Sequence, residues 1–425
     1  MRLLFVSTSF PRDLRTYITG SFQRMKMFID AIKEIAHIDL LFYVPADVDV
    51  STSAISAVER ELCQHWGADI RLFLCPRYKR DQLPSKWNHY FAGSMNFFRQ
   101  DGHADTSYPE QVQAFENCLA LMPDLIFVHK LASMCPLLLT RETLPPILFD
   151  LDDVEHVALL RGIESQWRWS SKLIQYCRFP ALLLGERRAI RLAHRTFVCS
   201  EADRNYLATR WKLPRVVTIP NSVISSKYLP LVSEPTLLFL GAYYYRPNSQ
   251  AADFLIKEIW PSIFRANPSA RLIVAGPQPE RIDAYFNHVP GVEFPGFVDD
   301  LEDLYRRARV VCCPISSGSG TRIKIIEAAA HRKAIVATRI GAEGLEFRDG
   351  HELLLRDDPI AFANTCVNLL ANDSICNSLG SAAHEAALRY YGRDKVEALI
   401  RTHVIDAYCG GPTTLSEHLK LPRSA

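Results

Sequence analysis

The sequence has no C-x-x-C pair among its 11 cysteines and no Cys/His spacing suited to a metal. This argues against a structural zinc site, and the scattered cysteines point to a reducing compartment. No window reaches the ~18 uninterrupted apolar residues of a spanning helix. The apolar run Leu3 to Val6 is too short for a signal peptide, and no small-residue cleavage pattern follows it. A cytoplasmic protein is expected. Ser7-Thr-Ser-Phe-Pro11 stands where a dinucleotide fold carries G-x-G-x-x-G, which argues against an oxidoreductase. Excess charge is missing as well. With 49 Lys and Arg against 47 Asp and Glu, the net charge of +2 gives no global reason to expect nucleic acid.

What is present is ordinary for a globular chain. The 425 residues, 48% apolar and 23% charged, suffice for two or three domains with full cores. One stretch organises the rest. Val310 to Cys313 is a short apolar run suited to a strand buried on both faces. Gly318 and Gly320 let the backbone bend and approach a ligand. A helix is expected from Thr321 to Ala330. Its unpaired N–H groups and partial positive charge suit a phosphate, with Arg322 and Lys324 beside it. Glu327, an acceptor-only carboxylate, suits a pair of ribose hydroxyls. The bland alternative is a βα loop with solvated charges.

The chain opens with a βαβ pattern: a strand at Leu3 to Val6, a helix from Ser21 to Glu34, and a strand at Ile38 to Val44. Such units build parallel sheets with ligands at the strand C-terminal ends. The first loop, with Arg12, Arg15 and Gly20, therefore faces a cleft, although Arg12 and Asp13 read equally well as a surface pair. Residues 76–110 mix aromatics with Arg, Lys and Gly, as a variable lobe over an acceptor pocket or as ordinary packing. His129 ends one strand. Asp150, Asp152 and Asp153 end the next, so both tips reach the same cleft. A metal at the aspartates ranks low, because no second acidic cluster complements them. Residues 161–195 carry eight Arg or Lys against two Glu, with Trp167, Trp169 and Tyr176. That suits an interfacial helix on an anionic membrane or an ordinary helix with a basic face. Nucleic acid is a weaker third reading.

Ser222 to Pro235 reads as a linker. A second alternating series follows, with strands at 236–240, 271–275, 292–294, 310–313, 334–337 and 352–355. Helices are expected at 249–264, after Gly296-Phe-Val-Asp-Asp-Leu through Ala308, and over 359–405. Val396, Leu399, Ile400, Val404 and Ile405 share one face of the last helix, and a frayed tail follows Gly410.

Several short motifs then gather in one half of the chain. They are Ile219-Pro-Asn, Leu240-Gly241, Arg246-Pro-Asn248, Val274-Ala-Gly276, Gly296-Phe-Val-Asp-Asp-Leu, Gly318-Ser-Gly-Thr-Arg-Ile-Lys-Ile-Ile-Glu-Ala and Gly341-Ala-Glu-Gly344. Together they resemble the glycogen-synthase-like group 1 glycosyltransferases, family 4. That resemblance implies the α/β GT-B fold, two facing Rossmann-like doubly wound domains with a C-terminal helix crossing back. It divides the chain into an acceptor-binding domain at 1–225, a nucleotide-sugar-binding domain at 226–385, and a returning helix plus tail at 386–425.

The resemblance also implies roles. Glu327 would hold the donor ribose. Arg322, Lys324 and the backbone from Ser319 through Gly320 and Thr321 would hold the diphosphate. Gly241, Arg246 and Asn248 belong to the donor side, and the backbone at Phe297 and Val298 would meet the base. His129 would position a hydroxyl of the sugar or acceptor, with Arg12, Gly20, Asp152 and Asp153 lining the acceptor cleft. The implied chemistry is retaining transfer from a nucleoside diphosphate sugar to a hydroxyl of a polysaccharide, lipid-linked or small-molecule acceptor, with no metal or other cofactor. Two departures stand out. Ser319 occupies the place of a second glutamate, and Gly241 to Asn248 replaces the usual Arg and Lys pair. A non-catalytic binding or scaffold protein of the same fold is the rival reading.

Overall fold

The computed structural model describes residues 1–11, 14, 20–78, 92–164, 169–213, 215–225, 234–318 and 320–410. Expectations for Arg12, Arg15, Ser319, residues 79–91, most of the linker (226–233) and the tail (411–425) therefore lie outside the described residues.

The first half runs β1 (Arg2–Ser7), α1 (Gly20–Ile32), β2 (His37–Val44), α2 (Thr52–Trp66), β3 (Ile70–Pro76), α3 (Pro109–Leu119), β4 (Leu125–His129), α4 (Cys135–Leu139) and β5 (Ile147–Asp152). It continues with α5 (Glu155–Glu164), α6 (Trp169–Leu192), β6 (Arg195–Val198), α7 (Glu201–Trp211) and β7 (Val216–Thr218). These strands form one sheet in the order β3-β2-β1-β4-β5-β6-β7. Every pairing is parallel. Helices cover both faces, so the central strands are apolar runs with Leu3 to Val6 and Leu125 to Val128 fully buried.

The second half runs β8 (Thr236–Leu240), α8 (Arg246–Phe254), α9 (Trp260–Ala266), β9 (Arg271–Ala275), β10 (Val292–Gly296), α10 (Leu301–Arg307) and β11 (Val310–Cys313). Then come α11 (Ile323–Ala330), β12 (Ala334–Ala337), β13 (Leu354–Leu355), α12 (Pro359–Ala371), α13 (Asp373–Tyr391) and α14 (Arg393–Cys409). The second sheet is ordered β10-β9-β8-β11-β12-β13, again all parallel. In each sheet the loops after the strands gather at the C-terminal edge, where doubly wound folds bind ligands.

Helix α2 is capped by Ser51, whose Oγ accepts from Ala54 N, is ended by Gly67 in the left-handed region, and buries Leu62 and Trp66. Three local expectations shift for identifiable reasons. The single helix expected over 249–264 is α8 and α9 joined by a π turn at Leu255–Ile259. Pro261 has no N–H for the preceding turn, and widening the helix there relieves the ring's clash. Residues 359–405 break into α12, α13 and α14. The described part of the aromatic stretch is packing: Tyr78 stacks on Tyr108 at 3.6 Å, and Phe97 is buried against Gly185 of α6.

The chain crosses between the halves twice. After α13, Gly392 ends the helix and α14 returns to the first sheet. Val396, Ile400, Val404 and Ala407 are buried there with Phe5, Phe28 and Phe127. Arg393 pairs with Asp30 of α1. The two crossings touch, since Val223 N donates to Tyr391 O (2.8 Å) and Arg393 N to Val223 O (3.0 Å).

Candidate active site at the domain junction

The loop from β11 to α11 turns on two glycines. Gly318 has φ +100° and Gly320 φ +75°, both costly for a residue with a side chain. The helix begins at Ile323, two residues later than expected. Arg322, at φ −89° and ψ 97°, is its N-cap residue. Its guanidinium folds back, with Nη1 donating to Gly320 O (2.7 Å) and Nη2 to Ser317 O (3.3 Å). Arg322 therefore braces the loop with its own charge, and it is buried. Tyr245 lies across Gly318, where a Cβ would stand 2.9 Å from the phenol oxygen.

Lys324 is the second residue of α11. Its Nζ donates to Asn248 Oδ1 (2.9 Å) and lies 4.6 Å from the centroid of the Phe239 ring. Burial, aided by Arg322, pulls its pKa down to about 8 against the opposing pull of Cys313 and Glu327. Asn248 Nδ2 donates to Ala242 O (3.0 Å). A Cβ on Gly241 would stand 3.0 Å from the Asn248 side chain, so glycine lets the first turn of α8 close on β8. Gly241, Asn248 and Lys324 thus form one contact group. Glu327 Oε2 accepts from Tyr305 Oη (3.3 Å), and burial raises the Glu327 carboxyl despite that bond. Arg246 is exposed at the start of α8, and Phe297 and Val298 follow the edge strand β10, half-buried.

The first sheet presents its strand tips opposite. His129, fully buried at the end of β4, shares its Nδ1 with Asp150 Oδ2 at 2.9 Å. Its Nε2 is buried and has no hydrogen-bond partner among the described residues. Asp150 is also held by Arg24 of α1, with Nε 3.0 Å and Nη2 2.6 Å from Oδ1. Burial alone would raise the Asp150 carboxyl, but Arg24 and His129 outweigh it and hold it below its ordinary value. Arg24 Nη1 reaches Ile219 O (2.9 Å) and Asn221 Oδ1 (3.3 Å). Asn221 Nδ2 then donates to Thr321 Oγ1 (2.8 Å), in the glycine loop of the other sheet.

Backbone strain marks both tips. Lys130, directly after His129, has φ 73° and ψ 151°, a region close to glycine's alone. Asp152 has φ 63°. Its carboxylate meets Ser21 Oγ (3.3 Å) and Arg24 Nε (3.4 Å). Asp153 lies against Gly320. Burial first, then Asp152, pushes the Asp153 carboxyl up to about 7, with Arg322 and Lys130 opposing. Gly20 faces Ile323 across the junction, where a Cβ would be 3.4 Å from Cδ1. Among the described residues no three His, Cys, Asp or Glu side chains are grouped to hold a metal ion.

Two further clasps join the halves. Arg161 of α5 donates to Gly318 O (3.1 Å) and pairs with Glu343. Gly344 approaches Ser200 so closely that a Cβ would stand 2.9 Å from the serine Cβ. The structure thus brings His129, Asp152, Asp153, Gly20, Gly320, Thr321, Arg322, Lys324 and Glu327 to the junction, while Arg246, Phe297 and Val298 stand further along the C-terminal edge of the second sheet. The sequence reading missed Arg24, Asn221, Tyr245 and Tyr305 as members of this region. One signal was available for Arg24: an arginine beside Met25 and Phe28 on an otherwise apolar helix face has to find a buried acid.

Residues 234–372 match the family described as glycosyl transferases group 1. A phosphatidyl-myo-inositol mannosyltransferase of Mycobacterium leprae is 29% identical over 201 residues, 43% of this chain and 53% of that protein. The chain spans about half the length of the curated relatives it matches. Among solved structures, the sucrose-phosphate synthase of Thermosynechococcus elongatus superposes with TM-score 0.68 at 16% identity, over 96% of this chain and all (100%) of that one. Anabaena HepE in complex with UDP superposes with TM-score 0.63 at 13% identity and the same coverage, 96% and 100%. The fold is GT-B, two Rossmann-like domains. Among the described residues no helix is long and apolar enough to cross a membrane.

Proposed function

We propose that this protein, whose residues 234–372 match the glycosyl transferases group 1, moves a sugar from a nucleoside diphosphate sugar to an acceptor hydroxyl, retaining the anomeric configuration and using no metal. One observation carries this reading. The Gly318–Arg322 loop, with Lys324 and the start of α11 behind it, is bonded across the junction to Asn221, and Arg24 and Asp150 link Asn221 to the His129 strand tip.

The diphosphate lies at the start of α11, where free N–H groups, Arg322 and Lys324 favour negative charge. Glu327 takes the ribose hydroxyls. The backbone at Phe297 and Val298 meets the base, with Gly241, Arg246 and Asn248 on the same donor side. As the bond from the anomeric carbon to the phosphate oxygen breaks, charge grows on the β-phosphate. Preorganised cations there lower the barrier more than any other single term. The acceptor oxygen attacks the anomeric carbon from the face the phosphate leaves, and its proton passes to the departing phosphate oxygen. His129 orients a hydroxyl through Nε2, and Gly20, Asp152 and Asp153 line the acceptor side. The two clasps close the domains and exclude water.

The acceptor is a carbohydrate, free or lipid-linked, and the protein works in the cytoplasm at the inner membrane face. Support for membrane contact comes from α6. Trp169, Leu173, Tyr176 and Leu184 share its outer face and are 83%, 65%, 47% and 64% exposed. Arg188 and Arg191 stand exposed at its C-terminal end. Apolar residues backed by cations suit an anionic lipid surface.

The test is thermal stabilisation by UDP, GDP, ADP, CDP and NAD, repeated on Glu327→Ala. A ligand at about 100 times its Kd adds roughly 2.7 kcal/mol and raises the midpoint visibly. Stabilisation by one nucleoside diphosphate, lost in the variant, is expected. No shift with any of them would favour a non-catalytic binding protein, and a shift with NAD alone would overturn the donor assignment.

A further inference from the structure

We propose that Arg24 is a positioning residue that couples His129, on one domain, to the glycine loop on the other. The proposal rests on the glycosyl-transfer reading above. Arg24 projects from α1 and is 1% exposed. Taking a guanidinium out of water is expensive unless its donors are matched. One side of its fork, Nε and Nη2, is spent on Asp150. An ion pair alone would end there. The other arm, Nη1, instead reaches Ile219 O and Asn221 Oδ1, at the place where the chain leaves the first sheet.

Each further bond follows from that grip. Because Asn221 Oδ1 faces a donor, its Nδ2 is turned outward, and it meets Thr321 Oγ1 at 2.8 Å. Because Asp150 is an ionised, acceptor-only carboxylate, the His129 nitrogen facing it must carry hydrogen. That leaves Nε2, the buried nitrogen without a partner among the described residues, for the substrate. Thr321 stands two residues before the start of α11. His129, Asp150, Arg24, Asn221 and Thr321 are therefore one hydrogen-bonded relay. The orientation of His129 and the seat of the donor loop are set by opposite arms of a single side chain.

The experiment compares Arg24→Lys, Asn221→Ala, Thr321→Val and the double variant Arg24→Lys/Thr321→Val. Lysine keeps the charge beside Asp150 and loses the second arm. For each variant that melts as a folded protein, kcat and KM are measured with the donor found by thermal shift. Each single variant should lose kcat by about tenfold to a hundredfold, the scale of a small misplacement, with donor KM changed less than about threefold. The double variant should be no worse than the worse single, as expected of one coupled unit. Full kcat in folded Arg24→Lys or Thr321→Val, or losses that multiply in the double variant, would overturn the coupling.

A second readout does not need turnover. In the imidazole nitrogen NMR spectrum, His129 should be protonated at Nδ1 in the parent, and its signals should move in Arg24→Lys. An unchanged spectrum would overturn the relay. A parent with this spectrum but no transfer on any donor would overturn the function reading and leave the relay standing.

Discussion

The Asp153 carboxylate and Gly320 are in contact across the domain junction. A Cβ built on Gly320 would stand 1.8 Å from Asp153 Oδ1. No side chain fits there while the domains keep this arrangement. Gly320→Ala should therefore push the tips apart as well as strain a backbone at φ +75°. We expect a loss of about 1–3 kcal/mol in stability and a fall in kcat. Gly320→Ala/Asp153→Ala should recover part of the kcat loss, because it removes the obstacle and leaves the strain. A single variant that melts and turns over like the parent would rule out this close approach.

With the diphosphate seated as proposed, Lys324 makes donor binding depend on pH. Its pKa in the free protein is about 8, and a bound diphosphate raises it by placing negative charge nearby. Binding therefore takes up a proton in the window that opens near pH 8, and affinity falls as pH rises through it. Calorimetry at pH 8.5 in two buffers of different ionisation enthalpy should show proton uptake with the nucleoside diphosphate found by thermal shift, absent in Lys324→Met. Equal apparent enthalpies in both buffers for the parent would separate Lys324 from the phosphate.

The Arg161–Glu343 clasp predicts a different pattern. Both side chains are partly exposed, 31% and 41%, so the pair is worth no more than about 1 kcal/mol of stability. Arg161→Ala should leave the melting temperature almost unchanged. Arg161 also holds Gly318 O, however, so its loss should loosen closure and raise donor hydrolysis relative to transfer. An unchanged ratio would make the clasp incidental.

The exposed face of α6 is tested with vesicles. Sedimentation with phosphatidylglycerol vesicles should recover the protein, and added salt should weaken the binding. Trp169→Ser/Leu173→Ser should cut partitioning by about tenfold or more, since each buried apolar side chain contributes roughly 1.5–3 kcal/mol. Equal recovery with neutral and anionic vesicles would remove the cations from the account, and recovery with neither would remove the membrane.

Much of this architecture is readable in the chain because buried parallel strands leave little choice of residue. Thr236–Leu240, Arg271–Ala275, Val310–Cys313 and Ala334–Ala337 stand where their apolar runs predict them. The edge strand at Leu354–Leu355 is shorter than expected, since an edge has one partner to set its length. At the candidate site, single residues with local signatures were visible: glycines before a helix, cations beside it, a histidine at a strand tip. Partners distant in sequence were not. Arg24 and Asp150 are 126 positions apart, and the Ile219-Pro-Asn motif gives no sign of Asn221's partner until Thr321 is placed opposite it. The late start of α11 escaped for a similar reason. Arg322 is a good helix former by propensity, but its backbone is extended and its guanidinium folds back onto Gly320 O and Ser317 O.

The return of α14 to the first sheet has a consequence for how the protein is made. Val396, Ile400, Val404 and Ala407 complete a core whose other members, such as Leu3, Phe5 and Phe28, leave the ribosome first. The second sheet, which closes with β13 at Leu354–Leu355, needs none of those four residues and is complete earlier. At roughly 5–20 residues per second, the first domain waits on the order of ten seconds or more after its own last strand is made. Until then its face under α14 stays open to other chains. The earlier-made domain is thus the later one to be finished, and chains stalled before Arg393 should be the species that chaperones hold.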